Sequence, residues 1–313
     1  MAVWKPHSLK LHGDAAGGAV ICPDILNLQG SHNPEFTADL VAHNGRPLFA
    51  GIKSIKPVYG GETFALPTIL DVIGVFGLGF TGATNPGMVV YFQKFDDNGD
   101  AAPGSVHRSL AIHTGVIVPK RLSVDHQGDA KLQWEIIPIK TTANAVVLAA
   151  DNVALPTITA ASARWTLGAM KVNNVALANY TGLEIDFGNT VEVRGSESDP
   201  YAAHVEVRTH EPTVKITGID PTWFAASPVP LGGVSLLTAN DYVYLRKRSQ
   251  DGSHFVANGT SEHIKFALAG VGGVDSAIQG QAQRIGETTL NLKLAVDASG
   301  NNPLIASTAT THP

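Results

Sequence analysis

Apolar and polar residues alternate one for one along much of this chain, and a period of two constrains it to strands half-buried in sheets. Leu183-Glu184-Ile185-Asp186, Val191-Glu192-Val193-Arg194, Val205-Glu206-Val207-Arg208 and Leu290-Asn291-Leu292-Lys293-Leu294 all follow it. Turn signals punctuate the strands at Asn44-Gly45, Gly60-Gly61, Asn98-Gly99, Asp251-Gly252 and Asn258-Gly259. Helical periodicity is scarce, and the pattern leaves room for one short helix in each half. The expected fold is all-β with minor α, built of antiparallel strands.

The two halves resemble each other. Ala42 to Gly45, leading through Gly51 into Ile52-Lys53-Ser54-Ile55, matches Lys171 to Asn174 leading through Gly182 into Leu183 to Asp186. Leu66-Pro67-Thr68-Ile69 then matches Glu211-Pro212-Thr213-Val214. Val90 to Lys94, ending at Asn98-Gly99, matches Val243 to Lys247, ending at Asp251-Gly252. Gly128 to Leu132 matches Gly286 to Leu290. The offset between partners rises steadily, as duplication with loop insertion would give. Its largest step places a longer hairpin in the second copy, near Asp186 to His204. Two tandem domains follow, residues 1–150 and 151–313, joined through the Ala/Thr/Asn-rich stretch Thr141 to Ala163. That connection is long enough to require a strand of its own or packing along a domain.

Composition narrows the function classes. Of 313 residues, 44% are hydrophobic and 16% charged, too apolar for a disordered chain. So lean a charge also fits a surface partly covered by neighbouring subunits. A net charge of −5 lacks the basic surplus that a phosphate-gripping protein needs. The single cysteine, Cys22, makes no disulfide framework within the chain, consistent with assembly in a reducing cytoplasm. The start, MAVWKPHSLKLHG, has no apolar signal-peptide core, and the apolar run Val72 to Phe80 is too short to span a bilayer.

Motifs with chemistry are weak. Gly77-Leu78-Gly79-Phe80-Thr81-Gly82 fits the dinucleotide fingerprint after a strand-like run, but no helix can open through Asn85-Pro86-Gly87, so a flexible loop is expected. Asp96-Asp97-Asn98-Gly99-Asp100 lacks the closing Glu of a calcium loop and reads as a hairpin turn. His107, His113, His204 and His210 have no third ligand and are expected at the surface or an interface. Ser196 is not in a hydrolase elbow, and Cys22 has no nucleophile signature. The expectation is no enzyme, no metal and no cofactor.

The run Gly182 to Val193, continuing through Asp199-Pro200-Tyr201 to Glu211-Pro212-Thr213-Val214-Lys215-Ile216, resembles the major tail tube proteins of long-tailed bacteriophages, as does Lys171-Val172-Asn173-Asn174-Val175. It is clearest from Trp165 to Val296 and reaches the first half by way of the repeat. The resemblance implies a β-sandwich that closes into rings, stacked as the conduit for genome ejection. With two copies per chain it implies trimers of pseudo-sixfold symmetry.

Several roles come with that resemblance. The polar tip Gly195-Ser196-Glu197-Ser198-Asp199-Pro200 would dock on the next ring. Glu184 and Asp186, opposite the inward-facing Leu183 and Ile185, would line the channel; their first-copy counterparts are read as Lys53 and Ile55. Implied partners are further copies of the chain, the tape measure protein, tail terminator and baseplate proteins, and double-stranded DNA passing without specific binding. The implied location is the virion tail, assembled in the host cytoplasm, with no membrane. Two rival readings remain open: another virion ring protein (tail terminator, baseplate or decoration protein), and a tandem β-sandwich that binds carbohydrate through clustered exposed aromatics. The alternating contexts of Trp134 and Trp165 point to burial instead.

Overall fold

A computed structural model describes residues 3–11, 19–39, 49–82, 85–140, 146–158, 163–196, 199–219, 223, 233–250, 255–281, 284–296 and 300–313. The first half runs β1 (Val3–Leu11), β2 (Val20–Cys22), β3 (Ile25–Ser31), β4 (Pro34–Asp39), β5 (Phe49–Ile55), β6 (Val58–Thr63), α1 (Leu66–Ile73), β7 (Leu78–Thr81), β8 (Met88–Phe95), β9 (His107–Ile112), β10 (Thr114–Asp125), β11 (Lys131–Ile139) and β12 (Leu148–Val153). The second runs β13 (Trp165–Val172), β14 (Val175–Ala176), β15 (Tyr180–Asp186), β16 (Asn189–Ser196), β17 (Asp199–His210), β18 (Thr213–Gly218), β19 (Gly233–Lys247), β20 (His263–Gln281), β21 (Arg284–Ala295) and β22 (Leu304–Thr310). The fold is nearly all β, as alternation requires. The expected strand in the long connection is present, as β12 pairs with β9.

One long sheet crosses both halves in the order β14-β13-β19-β20-β21-β18-β15-β10-β11-β6-β3, with β22 on β20 and β7 on β10. A five-stranded sheet, β12-β9-β8-β1-β2, and a four-stranded hairpin sheet, β16-β17-β5-β4, pack around it. The main core lies on one face of the long sheet. It takes Leu122, Leu132, Trp134 and Ile136 from the first half and Leu183, Ile185, Ile216, Phe266 and Leu290 from the second.

The pairing registers repeat. Trp4 lies opposite Lys94, and Trp165 opposite Lys247. His107 Nδ1 accepts the Lys94 backbone N–H at 3.2 Å, and His263 Nδ1 accepts that of Lys247 at 3.1 Å. In each half the long sheet carries the same run, β3-β6-β11-β10 in one and β15-β18-β21-β20 in the other. Each half also has a long hairpin: Phe36 faces Ile52 and Ala38 faces Ala50, as Val191 faces Val207 and Val193 faces Val205. A register shift immediately precedes Phe36 and Val191 alike.

These registers correct part of the expected alignment. Val90 to Lys94 does correspond to Val243 to Lys247, and Leu132, opposite Thr63, to Leu290, opposite Ile216. Gly51, however, lies on hairpin strand β5, whereas Gly182 lies on β15, the counterpart of β3. Pro67 is in α1, whereas Pro212 directly precedes β18, as Pro57 directly precedes the counterpart strand β6. The second hairpin is therefore no insertion. The partners of Glu184 and Asp186 are Leu26 and Gln29 on β3, not Lys53 and Ile55, because β3 pairs with β6 as β15 pairs with β18.

The run before the glycine motif is also not a strand. Leu66, Ile69, Leu70 and Ile73 are buried on one side of α1, a helical spacing, and Pro67 sits in the first turn where its missing N–H costs nothing. The motif itself is no loose loop, since Leu78–Thr81 pairs with β10. Gly77, at φ +98°, makes the turn between helix and strand; a Cβ there would lie 2.6 Å from the Ile117 carbonyl oxygen.

Candidate assembly interface

The halves join where β10 outruns β7. Residues 114–117 of β10 pair with β7, and residues 121–125 pair with β15 from Asp186 back to Gly182. The joint is extended by the Phe187 N–H donating to Lys120 O at 3.0 Å and the His126 N–H donating to Thr181 O at 2.6 Å. Arg121 Nη2 lies 2.6 Å from Glu184 Oε2 across it. Both side chains are partly exposed, and such pairs contribute at most about 1 kcal/mol. Leu122 and Val124 meeting Leu183 and Ile185 in the core, together with the ladder itself, hold the joint.

The same geometry stands open at the two ends of the repeat. On β20, residues 270–274 pair with the start of β19, as residues 114–117 of β10 pair with β7. Residues 275–281 of β20 pair with β21 on one side, and among the described residues no strand pairs with their other side. This is the seat that β15 occupies on β10. The counterpart of β15, β3, is an outer strand of the long sheet and pairs only with β6 among the described residues. Among the described residues, one chain thus carries an unpaired strand side and the edge strand that matches it.

The face of the long sheet opposite the core is polar. Glu62, Asp125, Glu135, Glu184, Asp186 and Glu287 alternate out of phase with the buried residues, and so do Arg121, Lys131, Lys215 and Lys293. The charge is mixed, because Lys171 on β13 and Lys265 on β20 lie in the same phase. Glu184 is held by Arg121, and Asp186 Oδ1 accepts the Gly188 N–H at 2.8 Å.

The second hairpin lies over this same face of β10 and β11. Val191, Val193, Val205 and Val207 pack on Val116, Val118 and Ile137 in a small second core. Its root is fixed by the buried Asn189, whose Nδ2 donates to Val75 O at 2.9 Å and to Pro119 O at 3.0 Å. His210 Nδ1 shares a 2.8 Å hydrogen bond with Asn189 Oδ1, and burial holds the imidazole below its ordinary pKa.

The tip residues have mixed placements. Gly195 is exposed, Ser196 pairs with Asp199 at the end of the hairpin, Pro200 is half-buried, and Glu197 and Ser198 lie outside the described residues. Asp199 is ion-paired with Lys140, and the Lys140 N–H donates to Ala202 O at 2.9 Å, so this end is tied to the first half. The Lys140 side chain, then the Tyr201 N–H, hold the Asp199 carboxyl below its usual range. A depressed carboxylate contributes stability above its unfolded value and loses it as pH falls through the folded one. Asp199→Asn is therefore expected to lower the hydrogen-exchange protection factor of the Lys140 amide several-fold at pH 7. The unaltered chain should lose that protection only below about pH 4.

The remaining sequence candidates have structural uses. Asp96 Oδ1 accepts the N–H groups of Asn98 and Asp100 at 2.9 Å each, a hairpin turn. His107 and His113 are buried, contrary to their expected exposure: His107 accepts a backbone N–H, and His113 bonds the Gly82 carbonyl at 3.0 Å. His204 is exposed on the hairpin. Trp134, Trp165 and Trp223 are buried, and Arg108 lies over Trp4, leaving no cluster of exposed tryptophans among the described residues. No family model matches the chain, and no curated protein matches it.

Proposed function

We propose that this chain is a structural virion protein that polymerises into stacked rings, the tail tube of a long-tailed bacteriophage. The observation that carries the reading is the pair of matched edges left unpaired among the described residues. A seat at one end and its edge strand at the other make a head-to-tail contact, and such contacts close into rings when the rotation per subunit allows. If the contact between chains repeats the rotation of the internal joint, three chains give six similar positions.

The mixed-charge polar face of the long sheet would then line the bore, where interspersed carboxylates offset the cations and DNA could pass without being trapped. In that setting the partners are further copies of the chain, a tape measure protein within, and terminator and baseplate proteins at the ends.

Negative-stain microscopy of the purified protein is expected to show rings or tubes, and mass measurement of single rings is expected to give three chains. Persistent monomers would overturn the reading, and six chains per ring would overturn the trimer.

A further inference from the structure

Both long hairpins place apolar pairs at the same register positions, and Ile52 of the first hairpin is exposed. In the second hairpin the pairs Val191–Val207 and Val193–Val205 rest on Val116, Val118 and Ile137. The first hairpin has Phe36–Ile52 and Ala38–Ala50 at the same register positions. Ile52 is 49% exposed. Ile52 stands at the register position of Val207, which the second hairpin packs against the sheet.

The sheet that would receive this stripe is also identifiable by register. Val116 pairs with Ile137 as Val271 pairs with Ala295, and Val118 pairs with Glu135 as Gly273 pairs with Lys293. The second half thus offers Val271, Gly273 and Ala295 where the first half offers Val116, Val118 and Ile137. Relative to the internal contact, the sheet side is smaller at Gly273 and Ala295, and the hairpin is larger at Phe36 and Ile52 and smaller at Ala38 and Ala50. Ala295 and the neighbouring Val296 are exposed, the latter 58%.

We infer that the first hairpin seats its Phe36–Ile52 stripe on the Val271, Gly273 and Ala295 face of a second copy of this chain. The contact is the intermolecular counterpart of the Val191–Val207 contact made within the chain. It rests on the self-assembly reading above and adds a second layer to the edge joint: where β3 of one copy meets β20 of another, the hairpin following β3 lies over β20 and β21. Within the chain β15 and its hairpin make this same pair of contacts to β10 and β11.

The test uses the full chain and single cysteines. Native Cys22 is buried, with its thiol pushed up to about 12, and stays out of thiol chemistry. Ile52→Cys and Ala295→Cys are prepared separately, mixed in equal amounts and treated with a short bis-maleimide. The mixture is expected to give at least about tenfold more covalent dimer than either variant alone, because the facing pair is held together rather than meeting by collision. The double variant should give a ladder ending at the closed ring. Rings in micrographs without cross-linking above the single variants would overturn the hairpin contact and leave the ring reading standing. A double variant that cross-links only within one chain would show that the hairpin folds back on itself, and would overturn it too. Neither rings nor cross-links would remove both.

Discussion

A proline at the open end of β20 is expected to leave the chain folded and to stop it assembling. Residues 275–281 of β20 are bonded to β21 on one side and have no strand on the other among the described residues. Along a strand, successive N–H groups point to opposite sides. Of the adjacent variants Ala277→Pro and Ile278→Pro, one must therefore remove an N–H directed to β21 and the other an N–H directed to the vacant seat. Proline is tolerated on an edge whose N–H faces solvent, and it blocks a strand arriving there. The variant that keeps its thermal midpoint is the informative one. Its assembly should weaken by at least about a hundredfold, from the loss of roughly 3 kcal/mol at each contact. If it forms rings at the unaltered concentration, the seat is not where chains meet.

Trp134→Ala is expected to cost about 3–5 kcal/mol, the usual range for removing a buried tryptophan. The ring is 1% exposed and lies in the main core where β11 meets β6. It lies against Gly61, where a Cβ would fall 2.6 Å from the indole, so the glycine and the ring need each other. The indole Nε1 is buried without a hydrogen-bond partner. Trp134→Phe gives up some packing but also removes that unsatisfied donor, and should recover most of the loss. Denaturant unfolding of both variants checks this. Equal losses would mean that the indole N–H is satisfied in solution.

The strands were legible in sequence because alternation is local: Leu183 to Asp186 and Leu290 to Leu294 are strands as read. The repeat was legible in its second part, where Tyr91 and Tyr244 occupy equivalent strands. It fails earlier because a glycine leading into alternating residues occurs within both β15 and β5. Two prolines ten residues apart, Pro57 and Pro67, also offered competing partners for Pro212. Helix α1 has its signal in the spacing of Leu66, Ile69, Leu70 and Ile73, but at eight residues it is short, and the apolar run continues past it to the glycine-rich strand β7. Glu184 and Asp186 were correctly placed opposite the core-facing Leu183 and Ile185. That Glu184 bridges to Arg121 could not be read, because the pairing of β10 with β15 joins segments distant in the chain and leaves no mark on either. Hydrophobic patterning identifies a face; it does not name the neighbour.

The joint between β10 and β15 lies inside a single polypeptide, and this changes how it can diverge over generations. In an assembly of identical one-copy subunits, every substitution at a contact recurs at all contacts, so a charge gained on one side meets its consequences everywhere at once. Here the internal joint can drift alone. Arg121 and Glu184 form an ion pair there, whereas the register counterpart of Glu184 on the outer strand is Leu26. If chains assemble as proposed, two fused copies let alternate seams specialise independently, at the cost of an assembly that no longer accepts a lone half as a replacement part.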